Sequence, residues 1–376
     1  MYFSIALCHI LWYNTSVKYN FLGESKMFKK IIALVLALLL GLLVVGCGDK
    51  EPVVSQDDTS STTESVPEPD PKPESYTNLL TGEGNLTKEQ ALKRPIAIMV
   101  NNVNIAQAVQ TGVNKAEIVY ETEVEGGVTR LLAVYSDVSK IEKIGTVRSA
   151  RYAYIDLAAA HNAIYYHFGQ DDSHAGPHLA DINHIDFRRY GEAGSRISNG
   201  LASEHTFYAS GEGIIKAAEK AGFKTEHTND TTWQNFAKEG ETITLANPAT
   251  SVKIPFNYPT TFKYDTESGK YVRYCKDNKR VDYFTKDDTL VKNLFVLNTS
   301  ITDYNCTGHK KGHRKIDLTS GDGYYFVNGT YTQIKWSKGA MNDPLKFTNV
   351  DGTPLTVNTG NSWVCIANMD TKPIIE

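Results

Sequence analysis

The sequence predicts an α+β fold: a mixed α/β domain over residues 78–246, followed by a smaller β-rich domain over residues 247–376. Three observations predict it. Up to residue 246, short apolar runs of strand length alternate with two stripes at three-to-four spacing, a period that lines one face of a helix. From Asn247 onward the helical spacing stops, and short runs broken by Asn-Gly and Asp-Gly pairs take over. A length of 376 residues also suits about two domains and a sizeable core.

The first segments stand outside that fold. Lys29-Lys30 precedes an uninterrupted apolar run from Ile31 to Val45. Its 15 residues fall short of the roughly 20 that a spanning helix needs, and they fit the apolar region of a secretory signal. The run ends Val44-Val45-Gly46-Cys47-Gly48, which resembles the lipobox of bacterial lipoproteins, where small residues precede an obligatory cysteine. The resemblance implies a signal peptide over residues 27–46, cleavage before Cys47, diacylglycerol on its sulfur, and residence on the outer face of the cell membrane. Met27 is the natural start of such a signal, so residues 1–26 are expected to be an over-extended gene start. Residues 47–77 are rich in Ser, Thr, Pro, Asp and Glu, with almost nothing to bury, and read as a disordered tether.

In the first domain, Ile96-Ala-Ile-Met-Val100, Glu117-Ile-Val-Tyr-Glu121, Leu131-Leu-Ala-Val-Tyr135 and Ala163 to Phe168 read as strands. Val147 to His161 reads as a helix, because Val147, Ala150, Tyr154, Leu157, Ala158 and His161 share one stripe. Glu212 to Ala221 reads as a second helix, stopped by Gly222. In the second domain the strand-like runs are Val252-Lys-Ile254, Leu294 to Leu297, Tyr324 to Val327, Thr332 to Trp336 and Trp363 to Ile366, with Asn328-Gly329 and Asp351-Gly352 as turn pairs.

The formal net charge is −4, and removing residues 1–46 leaves 35 basic against 42 acidic residues, or −7. A general nucleic-acid binder would need a basic face to neutralise phosphates, so that class is excluded. Lipid on Cys47 is then the expected hold on the membrane. No P-loop, GxGxxG or GxSxG motif occurs, and no cofactor is expected. Tyr outnumbers Phe, 21 to 14, which suits either strands or the stacking of sugars and peptides.

Candidate chemistry gathers in two motifs. Glu121, Glu123 and Glu125 alternate, so on one strand they share a face. Gly126-Gly127 then turns the chain, and Arg130 on the partner strand could balance them. A carboxyl kept protonated by its neighbours is how a general acid is made, which nominates Glu125 first and Glu121 next. The second motif is Arg148-Ser149-Ala150-Arg151 at the expected opening of the first helix, where two arginines and a capping serine could hold a carboxylate or phosphate. His167 and His205, each beside a loop, are weaker acid/base candidates.

Histidines and aspartates crowd residues 161–187, but Gly176-Pro177 interrupts the His174/His178 pair and no HExxH is present, so no metal site is expected. Cys275, Cys306 and Cys365 leave the disulfide question open, with Cys365 on a strand that reads as buried.

Arg94-Pro95 through Asn101-Asn102, Tyr120-Glu121, Glu125-Gly126-Gly127-Val-Thr129-Arg130 and Gly145 through Arg151 together resemble the YerB-like lipoproteins of Gram-positive bacteria. Tyr325 to Gly329, Ile334 to Trp336, Asp351-Gly352 and Gly360 to Trp363 extend the resemblance, which covers nearly all of residues 78–368. One departure is Glu204-His205-Thr206, where the family pattern has a Pro-His-Asn-type turn. The resemblance implies the lipid anchor and the two-part architecture. Two functions follow as expectations: an envelope lipoprotein binding peptidoglycan or an envelope protein through a Glu/Arg cleft, or a peptidoglycan-cleaving enzyme with a glutamate acid.

Overall fold

The computed structural model describes residues 74–227, 231–304 and 312–376. The expected signal, Cys47 and Cys306 lie outside the described residues, as does all but the last stretch of the expected tether. At the end of the expected tether, Tyr76–Thr77 pairs with Gly84–Leu86.

In the N-terminal part, β1 (Ile96–Asn101), β2 (Ile118–Glu123) and β3 (Thr129–Tyr135) are followed by α1 (Tyr152–Ala159), β4 (Ile164–His167), β5 (His184–Asp186) and α2 (Gly211–Lys220). The C-terminal part is β-rich: β6 (Ser251–Ile254), β7 (Thr260–Asp265), β8 (Lys270–Cys275), β9 (Asn293–Thr299), β10 (Ser320–Val327), β11 (Thr330–Ser337), β12 (Lys346–Asn349) and β13 (Ser362–Asn368). Strands dominate. The α+β expectation overstated the helices, of which α1 and α2 are the longest among the described residues.

Both parts contribute to one eleven-stranded sheet in the order β11-β10-β9-β13-β2-β3-β1-β4-β5, with Asn247–Pro248 and β12 also against β11. β13 is the joint. It lies parallel to both neighbours, with Cys365 opposite Val296 of β9 on one side and Glu121 of β2 on the other. β6, β7 and β8 belong to a separate six-stranded sheet. The central strands β1, β3 and β13 are apolar almost throughout because both faces of the sheet are covered. One face packs Ile98, Leu131, Leu294 and Trp363 against α2 and the six-stranded sheet. The other packs Met99, Leu132, Phe295 and Val364 against α1, Trp233 and Phe347. β11, near the edge, buries only Ile334 and Trp336, so it alternates.

The first helix departs from its expected span. It opens at Tyr152, five residues later than the stripe suggested, with Arg151 in extended conformation before it. The residues ahead of it are bonded as a strand. On one side Asn101 N–H donates to Thr146 O and Arg148 N–H to Met99 O; on the other Phe168 N–H donates to Arg148 O and Ala150 N–H to Gly169 O. β1 and β4 pair from Ile96–Ile98 to Ile164–Tyr166 and then separate, and this short peptide fills the gap between them. Arg148 and Arg151 therefore sit on a wedge at the end of the sheet, not on a helical turn.

Candidate functional site

β1, β2 and β4 run parallel, so Asn101, Glu123 and His167 all lie at one end of the large sheet, together with the start of the antiparallel β3. Carboxyl ends of strands, where neighbouring strands part, are where open α/β sheets build binding crevices. The wedge lies there.

Glu125 lies beyond β2 in a tight turn where Gly126 and Gly127 adopt φ of 71° and 69°, so it does not share the strand face of Glu121 and Glu123. Arg130 Nη2 meets Glu125 Oε1 at 3.1 Å, and Arg151 Nε donates to Oε2 at 2.8 Å while its Nη2 also contacts Oε1. Burial alone would raise the Glu125 carboxyl, but the Arg151 hydrogen bonds and the Arg130 and Arg151 charges outweigh it and hold it at about 2. Such a group has no proton to give at neutral pH, which removes the physical basis for Glu125 as a general acid.

Arg130 is buried and also donates to Ser149 O. Burial, then the nearby Arg151, pull its guanidinium down to about 9. Among the described residues Arg148 reaches only Glu204, at 3.5 Å to Oε1 and 3.4 Å to the carbonyl, and its buried Nε finds no hydrogen-bond partner. Burial and Arg151 lower it as well. Arg130, Arg148 and Arg151 thus feel one another's charge, with Glu125 between two of them and the more exposed Glu204 beside the third. Ser149 contributes its carbonyl, and Gly169 leaves room for its hydroxyl. The expected helix-capping role is absent because the helix starts later.

The other candidates separate. Glu121 is fully buried; its Oε1 accepts from Asn102, Thr129 and Thr260, each at 2.9 Å, and its Oε2 from Trp363 at 3.1 Å. Asn102 in turn accepts from Arg273 at 3.0 Å, and the Arg273 guanidinium lies 4.6 Å from the centre of the Trp363 ring. This polar network ties the two parts of the chain together and is sealed from ligands. Glu123 pairs with Arg314 at 3.3 Å. His167 is buried against Gly169 O and His184, and burial lowers it to about 4, so it stays neutral. His205 does join the site: Asn101 lies 2.7 Å from its Nδ1, and its Nε2 faces Glu204 at 3.3 Å. Burial, then Arg148, lower its pKa. Cys275 and Cys365 are buried free thiols.

Sequence reasoning missed a row of rings beside the arginines. His178 stacks on Tyr152 with centroids 4.4 Å apart, Tyr152 meets the edge of Tyr304 at 6.3 Å, and Tyr304 stacks on His174 at 3.8 Å. Tyr152 and Tyr304 border a groove of about 610 Å³ that also takes in Asp156, His178, Lys315 and Lys338. Both tyrosines also line a small cavity shared with Glu125 and Arg151, so groove and arginine cluster adjoin. Tyr304 lies 152 residues from Tyr152, and no local pattern links them; the excess of tyrosine was the one signal. A cavity of about 690 Å³ at the other end of the sheet holds Arg94 and His161, but both are satisfied internally, Arg94 by Asn162 O, Asn183 and Lys224 O and His161 by Tyr120.

Comparison with known proteins gives concordant matches. The family described as "Protein of unknown function (DUF3048) N-terminal domain" matches residues 80–224, and its C-terminal domain counterpart matches residues 251–364. The "Putative lipoprotein YerB" of Bacillus subtilis (strain 168) is 30% identical over 293 residues, spanning 73% of this chain and 81% of that protein. The crystal structure of the YerB protein from Bacillus subtilis aligns with a TM-score of 0.69 at 26% identity, covering 80% of this chain and 99% of that one.

Proposed function

From a chain that belongs to the YerB-like family, carrying both DUF3048 domains in order, we propose a lipid-anchored envelope protein that binds a carboxylate-bearing cell-wall glycan or peptide. The name of the Bacillus relative supports the anchor, as does the Lys29-to-Cys47 signal pattern. The observation that carries the ligand class is the surplus of guanidinium at the end of the sheet. Arg130, Arg148 and Arg151 converge, and among the described residues Arg148 is held only by long contacts. Guanidinium forks suit carboxylates, and the adjoining Tyr152 and Tyr304 rings suit sugar or peptide faces. Binding is favoured over glycan cleavage because Glu125 stays ionised and Glu121 is enclosed.

Co-sedimentation of the protein with purified peptidoglycan tests the proposal. Arg148→Ala should weaken binding by at least about tenfold, the scale of one lost charge-assisted hydrogen bond, with the melting temperature little changed. Equal retention of parent and variant, or soluble muropeptides released by the parent, would count against it.

A further inference from the structure

Behind Arg151, three donors from separate stretches of chain converge. Asp171 and His174 follow β4, and His313 immediately precedes the strand Arg314–Ile316. Asp171 Oδ2 lies 3.1 Å from His174 Nδ1, and Asp171 Oδ1 lies 3.3 Å from His313 Nδ1. One donor atom from each residue falls within 4.8 Å of the others. The three line a cavity of about 20 Å³, room for a single ion or water and too small for an organic group. Nδ1 of His313 is buried there and makes no hydrogen bond among the described residues, so its contact with Asp171 leaves it unsatisfied by them.

The geometry points to a divalent transition-metal site, zinc being the best match, with Asp171, His174 and His313 as its protein ligands. Two imidazoles and one carboxylate suit zinc, whereas calcium and magnesium prefer all-oxygen sets. Ligands about 2.0–2.1 Å from a tetrahedral ion stand about 3.3 Å apart, close to the two Asp171–histidine spacings of 3.1 and 3.3 Å. The Asp171 carboxylate also accepts from the backbone N–H groups of Ser173, His174 and Ala175, which fixes its orientation. Such outer contacts commonly hold a ligand in place for its metal. Arg151 and Arg314 border the same cavity, yet each is already paired, Arg151 with Glu125 and Arg314 with Glu123 and Asp303, so neither cancels Asp171. Three protein ligands leave a fourth position, which at a tetrahedral zinc a water would take. The site itself does not depend on the groove's ligand, so it can fail while the peptidoglycan proposal stands, and the reverse.

The test uses the full chain, stripped with a chelator and titrated with zinc chloride. One equivalent of zinc should survive desalting, measured by mass spectrometry of the metal, and should raise the melting temperature. His313→Ala, checked by circular dichroism for folding, should lose that equivalent, with affinity falling by more than the roughly 10–100-fold typical of removing an outer partner. Should that chain not fold, Asp171→Asn, which keeps an oxygen for the backbone N–H groups, serves instead and should show the same direction. His178→Ala should retain zinc, because that ring pairs with Asp156 and Asp181. A parent chain that holds no stoichiometric zinc overturns the site, and so does a folded His313 or Asp171 variant that binds like the parent.

Discussion

Glu125 carries one negative charge between Arg130 and Arg151, and under the proposed function it is an internal stand-in for the carboxylate of a ligand. Its folded value of about 2 lies below the roughly 4.3 of a free glutamate. A lowered carboxylate adds stability that is complete above the unfolded value and disappears as pH falls through the folded one, here between about 4.5 and 2. The shift corresponds to at most about 3 kcal/mol, and with the side chain 33% exposed screening reduces it to about 1–2 kcal/mol. Glu125→Gln should therefore lower stability at pH 7 by about that amount, and the gap from the parent should close between pH 4.5 and 2 in denaturant titrations. The same variant should bind peptidoglycan at least as well as the parent, since it frees two guanidiniums. A general acid would instead show itself as muropeptide release that the substitution abolishes, and loss of binding on substitution would refute the stand-in role.

Among elements, the strands of the large sheet are legible in the sequence and the first helix is only half so. β1, β3 and β13 announce themselves because burial on both faces demands continuous apolar runs. Asn328 and Gly329 announce the β10–β11 hairpin, since both adopt positive φ, 51° and 71°. Val147 and Ala150 mimic a helical stripe, but their backbone is claimed by β1 and by the chain after β4, a tertiary choice that periodicity does not carry. The arginines of the site are thus legible as residues and not as geometry. His313 and Tyr304 are invisible to local pattern because their partners lie far away along the chain. α2 supplies the prediction at this scale. A Cβ on Gly213 would lie 2.4 Å from Ala193 O, 2.6 Å from its Cα and 2.7 Å from its carbonyl carbon. Gly213→Ala, which would ordinarily favour a helix, should instead destabilise by about 1–3 kcal/mol, readable as a lower urea midpoint. An unchanged or higher midpoint would mean that α2 is free to shift.

At the scale of the whole molecule, the two parts recognisable by composition share one sheet through β13, and the Glu121–Asn102–Arg273 network seals the joint. Removing residues 359–376 should leave β2 and β9 with open edges. Size-exclusion chromatography should then find aggregate where independent modules would give a soluble, protease-resistant residue 78–246 fragment. The position of β13 in the chain gives this a temporal side. Synthesis proceeds from the N-terminus, so every neighbour of Ser362–Asn368 exists before that keystone is made. Until Ser362–Asn368 emerges, β2 and later β9 wait without their shared partner, and whatever escorts the nascent polypeptide must shield first one sticky margin and then two.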